Sequence, residues 1–186
     1  SKLRIKALLL AAGYGTRLRP LTLTTPKCLV KVNGTPLLAH WLSKLEKLGC
    51  DEVIINTQVP SVVKISIEGN DMMRYNLDKI EVNAGEKVEL TLIHTGKMSA
   101  QSMGHNWVLL SSGTDKAAFA MAAMSAKEQG YVPQSMKENV LTATKIIGGG
   151  ESTTITFDAP SPGYYDFICS FPGHYGLMNG SFVVLP

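Results

Sequence analysis

The charge of this chain changes sign along its length. Positions 1–57 hold nine Lys and Arg against three Asp and Glu, a net of +6, while positions 58–186 hold nine against twelve, a net of −3. All eight methionines lie at Met72 or beyond. A break of this kind constrains the fold more than any single motif: the chain reads as two units, 1–57 and 58–186, each with its own architecture. The total of +3 therefore selects no partner class, and neither a nucleic acid nor a membrane surface is expected to bind. With 45% apolar and 18% charged residues the chain can bury a core, which excludes a disordered tail. No apolar run approaches the roughly 18 residues of a membrane helix. Lys2, Arg4 and Lys6 before an apolar run imitate a secretory leader, but the run enters Gly13-Tyr-Gly-Thr-Arg17 and reads as a strand.

Cys28, Cys50 and Cys169 are odd in number, widely spaced and free of a C-x-x-C pair. That excludes a disulfide framework, and Cys28 and Cys50 are expected to be packed free thiols.

In the first unit, Ile5 to Ala12 is a near-continuous apolar run of strand length, the pattern of a parallel strand covered on both faces. Val30 to Val32 is a second short strand closed by Asn33-Gly34. Thr35 is then expected to cap a helix with Pro36 at its first position. Leu37, Leu38, Trp41, Leu42, Leu45 and Leu48 share one face of it, and Gly49 stops it before a strand at Val53–Ile55. This is the start of an α/β sheet.

A glycine loop directly after a buried strand lets backbone N–H groups approach phosphates, and nearby Arg or Lys neutralises them. The run from Leu10 to Lys27, with Val32-Asn-Gly-Thr-Pro-Leu-Leu38 beyond it, resembles the signature of the sugar-1-phosphate nucleotidyltransferases over residues 3–57. The resemblance implies an incomplete α/β fragment whose loop, with Gly13, Gly15, Thr16, Arg17 and Lys27, would hold the phosphates of a nucleoside triphosphate. The later segments that supply the family's sugar site and its magnesium aspartates have no counterpart after Thr57. Binding of a nucleotide with magnesium is thus the alternative function, and transfer activity is not expected.

From Val62 short alternating strands follow one another: Val62–Glu68, Lys79–Val82, Lys87–Leu92, Asn106–Leu110, Thr153–Phe157, Gly163–Cys169 and Gly180–Leu185. This spacing predicts a mainly β, Greek-key sandwich, with one inserted helix at Ala117–Gln129.

Its chemistry lies in Cys169-x4-His174-x3-Met178, set in the turn between the last two strands, and in His105 far upstream in Met103-Gly-His-Asn-Trp107. One thiolate, two imidazoles and a thioether match a trigonal His2Cys copper site with a weak axial Met. A tight loop can present Cys, His and Met to one ion while a second His from another strand ties the loop to the sandwich. Zinc suits a similar donor set, and a catalytic Cys-His dyad is a rival that leaves Met178 and His105 unexplained.

Residues 62–186 resemble the azurins, a family of cupredoxins, through Ile67-Glu-Gly-Asn-Asp71, Met103-Gly-His-Asn-Trp-Val-Leu109, Lys145-Ile-Ile-Gly148 and Thr156-Phe-Asp158. The resemblance implies copper held by His105, Cys169 and His174, with Met178 and the carbonyl of Gly104 as axial ligands. It also implies that Asn106 and the backbone near Phe171 support the thiolate, and that His94 is a histidine close to the site that does not ligate. The family's disulfide falls on Val63 and the Ala84–Glu86 turn, so that cross-link is missing, and a flanking histidine is Ala143 here.

These readings imply a type 1 blue copper protein acting as a one-electron carrier and not as an enzyme. Redox partners would dock on an apolar patch of Met73, Met98, Met103, Phe171, Pro172 and Leu177. Azurins are periplasmic and the nucleotidyltransferases cytoplasmic, so the pairing reads as a fusion of a fragment with a nearly whole second protein.

Overall fold

The computed structural model of the chain describes residues 5–11, 27–56 and 62–186. The chain divides into two compact units, Ser1–Pro60 and Ser61–Pro186.

The first unit runs β1 (Ile5–Leu10), a 3-10 turn at Lys27–Leu29, β2 (Lys31–Val32), β3 (Thr35–Pro36), α1 (Leu37–Lys47) and β4 (Cys50–Asn56). β1 and β4 pair in parallel, with Ala7 opposite Val53 and Leu9 opposite Ile55. Asn33 and Gly34, both left-handed at φ 51° and 79°, turn β2 back onto β3 as a two-residue hairpin requires. Thr35 is therefore a hairpin residue, paired with Val32, and does not cap α1 as the sequence suggests. Pro36 precedes the helix with an extended ψ of 140° and no side-chain cap. Gly49 ends the helix as expected, at φ 72° with its N–H donated to Glu46 O at 2.9 Å. No described residue of this unit is fully buried.

The second unit contains β5 (Val62–Gly69), β6 (Lys79–Asn83), β7 (Lys87–His94), α2 (Ala100–Met103), β8 (Val108–Leu110), α3 (Lys116–Ala123), β9 (Val140–Ala143), β10 (Ser152–Asp158), β11 (Gly163–Ile168) and β12 (Asn179–Leu185). A three-stranded sheet, β10-β7-β5, and a five-stranded sheet, β6-β12-β11-β8-β9, make a mainly β sandwich. β5 pairs with β7 and β6 with β12 in parallel, and the remaining pairs are antiparallel. Alternation drives the packing. In β7, Val88, Leu90 and Leu92 are fully buried while Lys87 is exposed. They meet Ile67, Trp107, Leu109, Phe167 and Phe182 in one core. Each such aliphatic side chain contributes about 1.5–3 kcal/mol.

Two local expectations need correction, and two elements were not foreseen. The helix foreseen at Ala117–Gln129 stops at Ala123 and resumes as a 3-10 turn at Lys127–Gln129. Ser125 turns its hydroxyl back to Ala122 O at 3.1 Å, and Gly130 takes a left-handed φ of 63°. The strand foreseen from Asn106 begins only at Val108, because the Trp107 N–H goes to the Thr144 hydroxyl at 2.9 Å and not to a ladder carbonyl. β9 and the single turn of α2 are too short to show a sequence period.

Candidate metal centre

Each donor reaches the centre from a segment pinned by backbone bonds. His105 lies just before β8 and forms an isolated bridge with Ile147, His105 N–H to Ile147 O at 3.0 Å and Ile147 N–H to His105 O at 2.9 Å. Cys169 follows β11 directly and donates its N–H to Met178 O at 2.9 Å, which closes the loop before β12. Inside that loop His174 N–H reaches Phe171 O at 3.1 Å and Met178 N–H reaches His174 O at 2.8 Å. The sequence Phe-Pro-Gly-His thus forms a turn, with Gly173 left-handed at φ 83°.

The result is a buried cluster in which the ligand atoms of His105, Cys169 and His174 all lie within 4.8 Å of one another. Cys169 Sγ is 3.7 Å from His174 Nδ1 and 3.9 Å from Gly104 O. Met178 is fully buried and packs with Cys169 and Phe171. Gly69 approaches so closely that a Cβ there would stand 2.8 Å from His105 Cδ2 and 3.1 Å from Met178 Cε.

Burial, then the nearby imidazoles, pushes His174 down to about 4. Burial also holds His105 below the usual histidine range, against carbonyls of Asn70 and Gly104 that favour its proton. Both rings are therefore neutral near pH 7. Burial pushes the Cys169 thiol up to about 12, although the backbone N–H groups of Asn106 and Phe171 favour the thiolate. His105 Nε2 lies 2.9 Å from Asn70 O and its Nδ1 2.9 Å from Gly104 O. A neutral ring has one proton for these two carbonyls, so one nitrogen faces an oxygen lone pair to lone pair. A cation bound at Nδ1 and Gly104 O removes that clash, and a thiolate, two neutral imidazoles and a thioether are soft donors for it. The residues fit copper.

His94 stacks flat on His105, centroids 4.2 Å apart and planes 11° apart. Gly96 donates its N–H to His94 Nδ1 at 3.1 Å, so His94 Nε2 carries the proton and donates it to Met103 O at 2.8 Å. Both nitrogens of His94 are thus occupied. Asn106 accepts Ser170 N–H and donates to Ser170 Oγ, each at 2.9 Å.

Of the apolar patch, Met98 and Leu177 are exposed, Met73, Met103 and Pro172 half-buried, and Phe171 buried. Phe171 lies edge-on to Tyr131 at 5.1 Å and tilted over His174 at 4.8 Å. Val63 is half-buried, Ala84 is buried, and Cys28, Cys50 and Cys169 are all free. Gly13, Gly15, Thr16 and Arg17 lie outside the described residues. Lys27 is exposed and lines a cavity of about 350 Å³ with Leu9, Cys28, Leu37 and Trp41.

Sequence reasoning missed Asn70 and Tyr75, whose carbonyl and hydroxyl grip residues 105 and 106. A backbone carbonyl has no residue-type signature. The only available signal was the Gly69-Asn-Asp71 turn after a strand.

Two family profiles match the chain. A profile of copper binding proteins of the plastocyanin/azurin family matches residues 61–185, and a nucleotidyl transferase profile matches residues 6–101. They overlap where the chain builds β5, β6 and β7. The azurin of Achromobacter denitrificans is 43% identical over 121 residues, covering 62% of this chain and 80% of that protein. The azurin of Alcaligenes faecalis is 39% identical, covering 63% and 94%. Among solved structures, reduced auracyanin from Roseiflexus castenholzii superposes with a TM-score of 0.60 at 32% identity, covering 68% of this chain and 99% of that one. Auracyanin A from Chloroflexus aurantiacus, titled a "blue" copper protein, gives 0.60 at 31% identity, covering 67% and 99%.

Proposed function

Because the chain belongs to the plastocyanin/azurin family of copper binding proteins over residues 61–185, and to the nucleotidyl transferases over residues 6–101, we propose that it is a type 1 copper electron carrier fused to a transferase fragment. The carrying observation is the buried convergence of the His105, Cys169 and His174 donor atoms within 4.8 Å of one another. Those three side chains would hold the ion, with Met178 and the Gly104 carbonyl as further donors beside them. Bound copper supplies one-electron chemistry between Cu(II) and Cu(I).

The chain's own residues make that exchange fast by moving little. Loop backbone bonds fix Cys169, His174 and Met178, the Ile147 bridge fixes His105, and the stacked His94 fixes its ring. With the ion bound Cys169 would be a thiolate, and the backbone N–H groups of Asn106 and Phe171, which favour that form, would stabilise it. Partners dock on the apolar patch of the exposed Met98 and Leu177, the half-buried Met73, Met103 and Pro172, and the buried Phe171, whose ring is tilted over His174. No substrate is transformed. The described residues include no helix long and apolar enough to cross a membrane. A periplasmic location for the second unit follows from the azurin resemblance.

Addition of Cu(II) to the metal-free protein should give an intense blue thiolate band that is lost in Cys169→Ala. A colourless wild-type protein refutes the assignment. The transferase match favours a second reading, nucleotide binding by the first unit with magnesium, in which Lys27 would meet phosphate. Titration with a nucleoside triphosphate tests it, with Arg17→Ala as control, and absence of saturable binding removes it.

A further inference from the structure

The turn joining β5 to β6 grips two consecutive residues of the copper site. Gly69 and Tyr75 form an isolated antiparallel bridge, Asn70 N–H reaches Arg74 O at 3.3 Å, and Met73 N–H reaches Asn70 O at 3.1 Å. Residues 69–75 are thus a closed loop of fixed shape, and Met73 holds a left-handed φ of 54° within it. One end places the Asn70 carbonyl 2.9 Å from His105 Nε2. The other places the Tyr75 hydroxyl on the carbonyl of Asn106, to which it donates.

Asn106 is the residue through which the histidine and thiolate sides meet. Its N–H faces the Cys169 sulfur, and its side chain holds Ser170. The peptide that carries the Asn106 N–H is held on its far side by Ile147 N–H on His105 O at 2.9 Å, and Tyr75 fixes the peptide that follows, so both peptides flanking the Asn106 Cα are clamped and the N–H keeps its direction toward the sulfur. The Tyr75 ring is itself held edge-on against Phe167, centroids 5.8 Å apart. We infer that Tyr75 is a positioning residue for the thiolate: its hydroxyl, through the Asn106 carbonyl, keeps the Asn106 N–H on Cys169 Sγ and so raises the reduction potential of the centre. An N–H directed at the sulfur withdraws charge from it, which weakens its donation to Cu(II) and favours the reduced state. Burial holds the Tyr75 phenol well above its usual range, with the nearby Cys169 adding to the shift, so it remains a donor at working pH. The effect on potential rests on the copper reading; the hydrogen bond does not.

The test compares Tyr75→Phe with wild type in two arms. In the copper-loaded protein the potential should fall and the thiolate band should shift. In the metal-free protein the Asn106 amide should exchange roughly 10-fold faster, as befits one lost hydrogen bond, while the Leu90 and Leu92 amides of β7 keep their rates. Unchanged exchange at Asn106 overturns the inference, with or without a change in potential. Equal acceleration at Asn106, Leu90 and Leu92 also overturns it, since that reports a loss of global stability. An unchanged potential in a blue protein overturns the tuning role. A wild-type protein with no blue band refutes the copper reading, and the tuning role with it, while the exchange arm still judges the hydrogen bond. If Tyr75→Phe does not fold, wild-type NMR decides. A slowly exchanging Tyr75 hydroxyl proton close in space to Trp107 backbone protons supports the inference, and its absence overturns it.

Discussion

Asn106 and Ser170 hold each other by two hydrogen bonds of 2.9 Å, Ser170 N–H to Asn106 Oδ1 and Asn106 Nδ2–H to Ser170 Oγ. Both residues are buried, and each sits next to a donor of the metal centre, His105 on one side and Cys169 on the other. Ser170 Oγ passes its own proton to Tyr131 O at 2.7 Å, so the pair also anchors the segment after α3. Asn106→Ala leaves the Ser170 N–H without that acceptor in a site closed to water. A stability loss of about 2 kcal/mol is expected. Urea unfolding of the metal-free protein should show a lower midpoint at unchanged slope. A midpoint equal to that of wild type would show that the two segments are held by the sandwich alone.

The charge states of the donors set two pH limits on the metal-free protein. Between pH 6.5 and about 4 the unfolded chain takes up a proton that folded His174 refuses, so stability falls as pH drops through this window. His105 shifts in the same direction. Between pH 9.0 and about 12 the unfolded chain sheds the Cys169 proton that the folded chain keeps, so stability falls as pH rises. The plateau therefore lies between pH 6.5 and 9.0, and denaturation midpoints measured across pH 4–11 should trace it. The same states predict that metal uptake at pH 7 releases about one proton per site, from Cys169, because both histidines already carry lone pairs. Calorimetry with Zn(II) in buffers of different ionisation enthalpy counts it. A count near zero would mean that the thiolate already exists in the empty site.

The donors were legible in sequence because their side chains are rare, chemically distinct and confined to two short strings. Cys169, His174 and Met178 fall within ten residues between two strand-like runs, and only His105 had to be brought in from afar. Period-two alternation likewise located most of the sandwich strands, since Val88, Leu90 and Leu92 point to one core. The supports were not legible. Asn70 acts through a carbonyl, which every residue has, and Tyr75 acts across 31 positions through a hydroxyl whose partner is again a carbonyl. The early end of α3 depends on Ser125 bonding back to Ala122 O, a choice the Ala-rich and Met-rich composition conceals.

Gly104 has no room for a side chain. A Cβ there would stand 2.5 Å from Ala100 O, 2.7 Å from Ile146 Cγ2 and 2.9 Å from Phe171 Cδ2. The first of these is backbone and cannot rotate away, so α2 or the Gly104 peptide must shift. Gly104→Ala is expected to cost about 1–3 kcal/mol by overpacking and to move the carbonyl facing His105 Nδ1. Its signature is a joint change: a lower thermal midpoint in the metal-free protein and an altered thiolate absorption after copper addition. A lower midpoint with unaltered absorption would show that the carbonyl holds its place despite the crowding.

Among its described residues the first unit has the parts of an α/β domain without the layers that would cover them. Its parallel sheet has two strands, α1 is its one α-helix among the described residues, and no described side chain reaches full burial. Leu8 and Ile54 stand 62% and 53% exposed on β1 and β4, and Trp41 is 50% exposed on α1. Parallel strands normally lose both faces to water exclusion, and a unit of roughly 60 residues is marginal even with a good core. The second unit, by contrast, closes one continuous core from Ile67 to Val184 around Trp107 and Phe167. Local opening should therefore be cheap in the first unit and costly in the second. Brief digestion with a broad-specificity protease is expected to remove residues before Ser61 and leave a fragment of the second unit that still turns blue with Cu(II). Mass spectrometry of the surviving fragment locates the cut. Equal protection of both units, or loss of the copper response together with the first unit, would mean that residues 1–60 complete the fold of the rest.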